Sequence, residues 1–428
     1  MRICDSNYAA TVVEIKVLQP IANCDNVHHA LIFGDLVVVG KDVQVGDVGI
    51  HFATETQLST EYLTNNNLYR HSENNADKTK KGFFEDNGRV RCVKFRGNES
   101  MGFFMPIESI EYTDKKVKIG DRFEKLGGHD ICTKYVSVNA AKQQGQQNQN
   151  LKKKKKKKPS RIIPTQFRLH KSTGRFGQNT HQFDACDVIS ISKKYHGTSA
   201  VFSRVLCNKK LSWIERMARK FGAAVKTTEY DHVYSSRRSI KSNPKEGANS
   251  FYKHDIWTEV FNEIKDVLAD GISVYGEIVG YAGTKLVQKG YDYGCKPGEH
   301  KLCVYRVTQT AADGTVYEFS PLQMREWCDV RGLDTVEVFF EGRIQDMIPG
   351  PNSEIRNLLT GDDLLAEIQQ WPGMGKMDVE CTQSVPFEGF VVRNVGHTLK
   401  SFKIKSLLFC ERETKNIDAG ETDPEDDA

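Results

Sequence analysis

The stretch SISKKYHGTSAVFSR, Ser190 to Arg204, runs an alternating β-type segment into two adjacent lysines and then His-Gly-Thr-Ser. On a strand, successive side chains point to opposite faces. Ile189, Ile191 and Lys193 therefore share one face, and Ser190, Ser192 and Lys194 share the other. The first face is apolar and belongs against a core, with Lys193 at its rim. The second is small and polar, as expected of a strand that faces a cleft. This singles out Lys194. Taken alone, two lysines at a strand end are equally well read as a solvated pair. A lysine becomes a nucleophile only where desolvation or neighbouring positive charge lowers its pKa, so the decision rests on distant segments.

Three of those segments carry suitable side chains. FKIKS, Phe402 to Ser406, puts Lys403 and Lys405 on one face at period two. VYGEIVG, Val274 to Gly280, and FEGFVVR, Phe387 to Arg393, set Glu277 and Glu388 between apolar residues and beside glycines. A carboxylate in a strand next to glycine suits close approach by a ligand or a hard cation. Singly, each is an ordinary exposed strand residue.

The 428 residues predict two domains with linkers. A hydrophobic content of 39% and a charged content of 27% describe an ordinary globular chain. No apolar run approaches the ~20 residues that span a bilayer, and the start, MRICDSNYAATVVEIK, lacks the apolar core of a secretory signal. Eleven scattered cysteines without a CxxC pair argue against a zinc ribbon or a disulfide framework and for a reducing compartment. The net charge of +4 decides nothing; its distribution does. Residues 140–160 combine a Gln/Asn tract with seven lysines, Lys152 to Lys158, and read as a solvated linker. Residues 418–428 read as an acidic tail. Residues 63–82 read as a long loop within the first domain.

Before the linker, residues 1–139 read as short strands at 11–18, 30–40, 48–53 and 89–95, which suggests a small barrel of the OB type. After it, residues 161–417 mix helical spacing at 256–270 and 320–332 with strand patterns at 271–281, 301–308, 387–394 and 401–409. The fold class expected is α+β: an OB-like β-barrel, then a domain of antiparallel sheets and helices.

These pieces fall in an order that resembles the covalent nucleotidyltransferases, the superfamily of DNA ligases, RNA ligases and mRNA capping enzymes. Lys194-Tyr-His-Gly resembles motif I, and Ser235 to Arg238 (SSRR) resembles motif Ia. VYGEIVG resembles motif III, Lys301 to Arg306 (KLCVYR) motif IIIa, FEGFVVR motif IV and FKIKS motif V. A lone KxxG carries almost no information; six elements in order do. His196 stands where DNA ligases and capping enzymes carry Asp, and the HGTS form resembles RNA ligases. Few residues follow motif V, and the strand-rich domain precedes the catalytic one. With Gly88 to Pro106, GRVRCVKFRGNESMGFFMP, the chain is similar to RNA ligase family 5, from which it departs in His196 and in its long linker.

The resemblance implies an ATP-dependent RNA ligase with an ATP-grasp-like ligase domain, working through a lysyl-AMP and an RNA-adenylate with Mg²⁺ or Mn²⁺. It implies Lys194 as nucleophile and Lys403 and Lys405 at the α-phosphate. Glu277 and Glu388 would serve the metal. His196, Gly197, Arg237, Glu277 and Tyr305 would contact the nucleotide, with Tyr305 stacking on adenine. His170 to Arg175, HKSTGR, is a weaker candidate for the β- and γ-phosphates. Arg89, Arg91, Lys94 and Arg96 are the candidate RNA contacts of the first domain. The expected partner is RNA, as a nicked duplex or tRNA-like ends, bound by a monomer without a membrane. The expected location is intracellular, cytoplasm or nucleus, with the lysine run either adding RNA affinity or acting as a nuclear signal. The alternatives are a DNA ligase, a capping enzyme, or a non-enzymatic RNA-binding protein on an inactive ligase scaffold.

Overall fold

The computed structural model describes residues 4, 6–22, 24–95, 97–137, 161–170, 172–241, 254–348, 358–396 and 400–420; the lysine-rich linker and Arg96 fall outside these. Among the described residues no helix is long and apolar enough to cross a membrane.

The N-terminal half is built from short strands, because its β-branched runs are cut by Gly and Asp/Asn turns. Ala10–Glu14 lies between Arg122–Phe123 and Val48–Phe52, and Phe103–Pro106 closes that four-stranded sheet. Val27–Ile32 and Asp35–Gly40 form a hairpin flanked by Leu18–Pro20. The central strand is buried on both faces: Val12 packs with Ile50 and Phe52, and Val13 with Ile32 and Val37. The described strands pair as separate small sheets instead of one continuous closed barrel. Side chains stitch the gaps, with Ser100 Oγ accepting from Val38 N–H at 3.0 Å and a His29 ring nitrogen 2.9 Å from Glu99 O. The polar stretch 63–82 ends the helix Thr60–Asn65 and continues as the expected long loop, tied down at one point. Asn75 is fully buried and holds it closed, accepting from Tyr69 N–H and donating to the carbonyls of Tyr69 and Lys80.

The second half packs two sheets face to face. The six-stranded sheet orders Thr228–Ser236, Thr198–Asn208, Ile272–Ala282, His300–Thr310 and Val316–Glu318, with a short sixth strand beside Ile272–Ala282. Helices Ile256–Ile264 and Pro321–Asp329 cover one face through Trp257, Val260 and Met324, which pack on Phe202, Val274, Ile278 and Val304. The five-stranded sheet orders Gly174–Arg175, Ser401–Lys405, Gly389–Asn394, Val188–Lys193 and Val338–Arg343. One face, with Ile189, Ile191, Phe390, Val392 and Ile404, packs on helix Gly361–Gln369. The other meets the six-stranded sheet, where Arg393 bonds Glu318 and the carbonyls of Phe319 and Tyr305.

The expected strand 401–409 stops at Lys405. Ser406 Oγ accepts from Phe409 N–H and caps a helix, Leu407–Asp418, so the pattern changes period at a capping residue. Asp418 therefore ends a helix that docks on the N-terminal half and does not begin a solvated tail. Thr414 and Cys410 of that helix reach Cys92 and Met101.

Candidate active site

Lys193 ends its strand, and the alternation separates the two lysines as the period demands. Lys193 is more deeply placed than a rim position: it is 3% exposed, with Nζ 2.8 Å from Asp378 and 2.9 Å from Glu380. Lys194 points to the opposite face, where Nζ lies 2.6 Å from Glu388 Oε1. Its backbone N–H donates to Gly389 O at 2.9 Å. Gly389 is opposite Lys405, and the next in-face row is Ser192, Val391 and Lys403. Lys194, Lys403 and Lys405 thus share the face turned toward the second sheet. Gly389 has φ +145°, and a Cβ there would sit 2.0 Å from Ile404 O, so only glycine lets this strand pair so closely with Ser401–Lys405.

After Lys194 the chain crosses from one sheet to the other. His196 N–H donates to Tyr293 Oη at 2.8 Å, and its ring packs edge-on against Tyr291 and Phe409. Gly197 passes so close to Ile278 that a Cβ would meet its carbonyl at 2.3 Å and Glu277 Cγ at 2.9 Å. Gln288 donates to Gly197 O at 2.8 Å. This contact brings motif I against Glu277. Ser199, Glu277 and Cys303 are cross-strand neighbours, and Ser199 Oγ donates to Glu277 Oε2 at 3.0 Å. Glu277 is 8% exposed and Glu388 1%. Two buried carboxylates therefore lie along motif I, Glu388 against Lys194 and Glu277 against Gly197 and Ser199.

Tyr305 lies on the same side of the six-stranded sheet. Burial, and next the charge of Glu277, push its phenol above the ordinary tyrosine range. Its hydroxyl is 2.8 Å from His170 Nδ1. Arg237 donates to Ser172 Oγ at 3.0 Å. His170 and Ser172 thus lie against the motif IIIa tyrosine and the motif Ia arginine respectively. Arg175 instead reaches across to the N-terminal half, donating to Thr54 O at 2.9 Å.

Several functional neighbours were not singled out from sequence. Asp378, Glu380, Tyr293, Gln288 and Ser199 lie in loops or on strands whose local pattern carries no signal. Glu413 holds Lys405 Nζ at 2.7 and 2.9 Å, from the helix whose first residues, 407–409, fall in the expected strand. Only correct placement of that helix, from the Ser406 cap, would have found it.

The first-domain candidates divide. Arg89 is no phosphate contact: it is 3% exposed, makes a two-pronged pair with Glu55 at 2.7 and 2.8 Å, and reaches Asp418 at 2.7 Å. A guanidinium satisfied on both sides inside the protein has nothing left for RNA. Arg91 lies at the surface, 3.5 Å from Asp418, and Lys94 is 2.9 Å from Glu411. Arg96 lies outside the described residues.

The structure thus sets Lys194 on a buried carboxylate, on the face that also carries Lys403 and Lys405, with a second buried carboxylate against Gly197. Comparison with known proteins gives this arrangement a family. The RNA ligase family model matches residues 187–405, more than half of the chain, and an OB-fold domain model matches residues 9–107. The chain belongs to the RNA ligase family. It is an enzyme of that family with an OB-fold domain ahead of the ligase domain, and neither the DNA-joining and capping alternatives nor an inactive scaffold is favoured. Among solved structures it is similar to a lysine-to-methionine variant of Naegleria gruberi RNA ligase with AMP and Mn, at 14% identity and a TM-score of 0.57, over 94% of this chain and 98% of that one. Naegleria gruberi RNA ligase with PPi matches at 13% identity and a TM-score of 0.57, over 95% of this chain and 98% of that one. At such identity the likeness establishes the fold. No curated protein sequence matches the chain.

Proposed function

We propose that this enzyme is an ATP-dependent RNA ligase that joins a 5′-phosphate to a 3′-hydroxyl, with Lys194 as its nucleophile. The observation that carries the reading is the Lys194 Nζ to Glu388 Oε1 distance of 2.6 Å, on the face shared with Lys403 and Lys405. Glu388 holds the ammonium and is within reach of its proton. Once neutral, Nζ attacks the α-phosphorus of ATP; a P–N bond forms and pyrophosphate leaves. An RNA 5′-phosphate oxygen then displaces Lys194 from the AMP. The 3′-hydroxyl attacks that 5′-phosphate, and AMP departs as the strand closes. Each step is an in-line transfer in which positioning and charge neutralisation supply the rate. Lys403 and Lys405 would supply that charge, and Lys405 must exchange Glu413 for phosphate to do so.

The donors fit a hard divalent cation, Mg²⁺ or Mn²⁺. Among the described residues no group of three or more His, Cys, Asp or Glu side chains converges on a metal position. Magnesium needs only one or two carboxylates, with water and phosphate oxygens filling its shell, and Glu277 and Glu388 provide them. The ion would neutralise charge on the reacting phosphates. Tyr305 and Arg237 would hold the nucleoside end. Arg91 and Lys94, at the surface of the first domain, support a role for that domain in gripping a nicked duplex or tRNA-like ends. The intracellular location expected from the cysteine usage, cytoplasm or nucleus, belongs to the same reading.

The test is incubation with α-labelled ATP or GTP and a divalent metal. ATP should label the protein through an acid-labile, base-stable adduct, and Lys194→Ala should abolish it. Label from GTP alone, or label retained in Lys194→Ala, would overturn the reading.

A further inference from the structure

Between the paired strands Thr198–Asn208 and Thr228–Ser236 the chain inserts a helix, Trp213–Lys220, that no other part of the described protein covers. None of its residues is buried. Trp213 is 73% exposed, Ile214 61%, Met217 43% and Phe221, which caps it, 80%. Scattered exposed apolar residues need no explanation, but four large ones on one side of one helix do. Trp213, Met217 and Phe221 follow at i, i+4 and i+8 with Ile214 beside them. Arg216 and Lys220, at i+3 and i+7 from Trp213, border the same side.

The segment is also strongly basic. Between Asn208 and Thr228 it carries six Lys or Arg residues and one acid, Glu215. Glu215 is consumed locally: it accepts from Ser212 N–H in the capping box and pairs with Lys209 at 2.5 Å. Among the described residues, no ion pair involves Lys210, Arg216, Arg219, Lys220 or Lys226. The surface therefore has aromatic faces for stacking with uncompensated cations beside them.

We propose that this helix binds a single-stranded segment of the RNA substrate, away from the junction being sealed; the inference rests on the ligase reading above. The hairpin supplies the geometry. Its near end, Thr198 and Ser236, follows directly on the Lys194 to Gly197 segment, and its far end carries the helix. The strand Thr198–Asn208 has 11 residues, which at ~3.3 Å each separates the two by roughly 30 Å. RNA whose end lies at Lys194 and whose path follows the hairpin meets the helix at that distance. Proteins that hold single strands combine cations along the backbone with aromatics under the bases, and unpaired bases are the part of RNA that aromatic side chains can reach. The placement of the cations favours RNA over a lipid surface. A helix lying on a bilayer turns its charged face away from its apolar one, whereas Arg216 and Lys220 lie beside Trp213, as phosphates lie beside bases.

The experiment uses the full chain, a Trp213→Ala/Phe221→Ala variant and an Arg219→Glu/Lys220→Glu variant. All four side chains are exposed, so both variants should fold as the parent does. Binding is measured by anisotropy on two nicked RNA duplexes, one with short blunt arms and one with a single-stranded arm of about a dozen nucleotides, a length within the reach of single-strand binders. The parent should bind the armed RNA at least about tenfold more tightly. The aromatic variant should lose that advantage, and the charge variant should lose it with a shallower salt dependence. Sealing of the blunt nick and self-labelling with ATP should remain at parental level in both. An arm that gives the parent no advantage, or an advantage that survives both variants, overturns the proposal. So does parental binding to phosphatidylserine vesicles that the aromatic variant loses while RNA binding stays unchanged. Absence of self-labelling in the parent would count against the ligase reading alone, because the binding comparison does not depend on it.

Discussion

Lys193→Ala should fail for a different reason from Lys194→Ala, and the contrast tests the assignment of the nucleophile. The side chains of Lys193 and Asp378 are 3% and 1% exposed, and Nζ also contacts the half-exposed Glu380. Removing one member of a buried pair leaves the other charged without compensation, at a cost of about 3–5 kcal/mol. For a domain of this size roughly 2–4 °C of melting temperature goes with each kcal/mol, so Lys193→Ala should melt on the order of 10 °C below the parent. Replacing both partners with apolar groups removes the stranded charge. Lys193→Met/Asp378→Leu should therefore recover most of the loss. Labelling with α-labelled ATP, measured well below each melting transition and normalised to folded protein, should be near parental in the double variant and absent in Lys194→Ala. A Lys193→Ala protein as stable as the parent would refute the buried-pair argument. Loss of label in a folded double variant would refute the division of roles between the two lysines.

Glu277→Ala and Glu388→Ala should each slow self-adenylation at least about tenfold, ~1.4 kcal/mol in barrier height, with altered metal titrations; parental rates and titrations in both would exclude them from metal and nucleotide. His51 is 2% exposed, and burial, helped by Arg175, holds its imidazole down at about 3. Below about pH 6.5 the unfolded chain takes a proton there that the folded chain refuses. Stability should be full above that pH and fall by ~1.4 kcal/mol per unit as the pH drops toward 3; His51→Phe should flatten this slope in denaturant titrations between pH 6.5 and 5. Arg89→Ala should lower the melting temperature, because it strands Glu55, whereas Lys94→Ala should leave melting nearly unchanged and reduce the salt slope of RNA binding; the opposite pattern would restore Arg89 as an RNA contact.

The alternation along Val188–Lys193 separated two adjacent lysines without any other information, because a strand's period of two is a local property of the backbone. The same locality made the α+β class, the carboxylate-bearing strands and the single face of Lys403 and Lys405 legible. What locality cannot supply is partnership. Nothing near Lys193 in sequence names Asp378 as its counter-charge, and nothing near Arg89 names Glu55 and Asp418. Lysine and arginine look alike in sequence whether they meet phosphate at the surface or a carboxylate in the interior. The helix Leu407–Asp418 shows the same division. Its Ser406 cap was written in the sequence, but that Glu413 would occupy Lys405, and that Glu411 and Asp418 would meet Lys94 and Arg91, followed only from docking the helix between the two halves. The chain pattern determined which face each residue occupies; the packing of segments hundreds of residues apart determined what that face meets, because burial and charge pairing depend on three-dimensional approach.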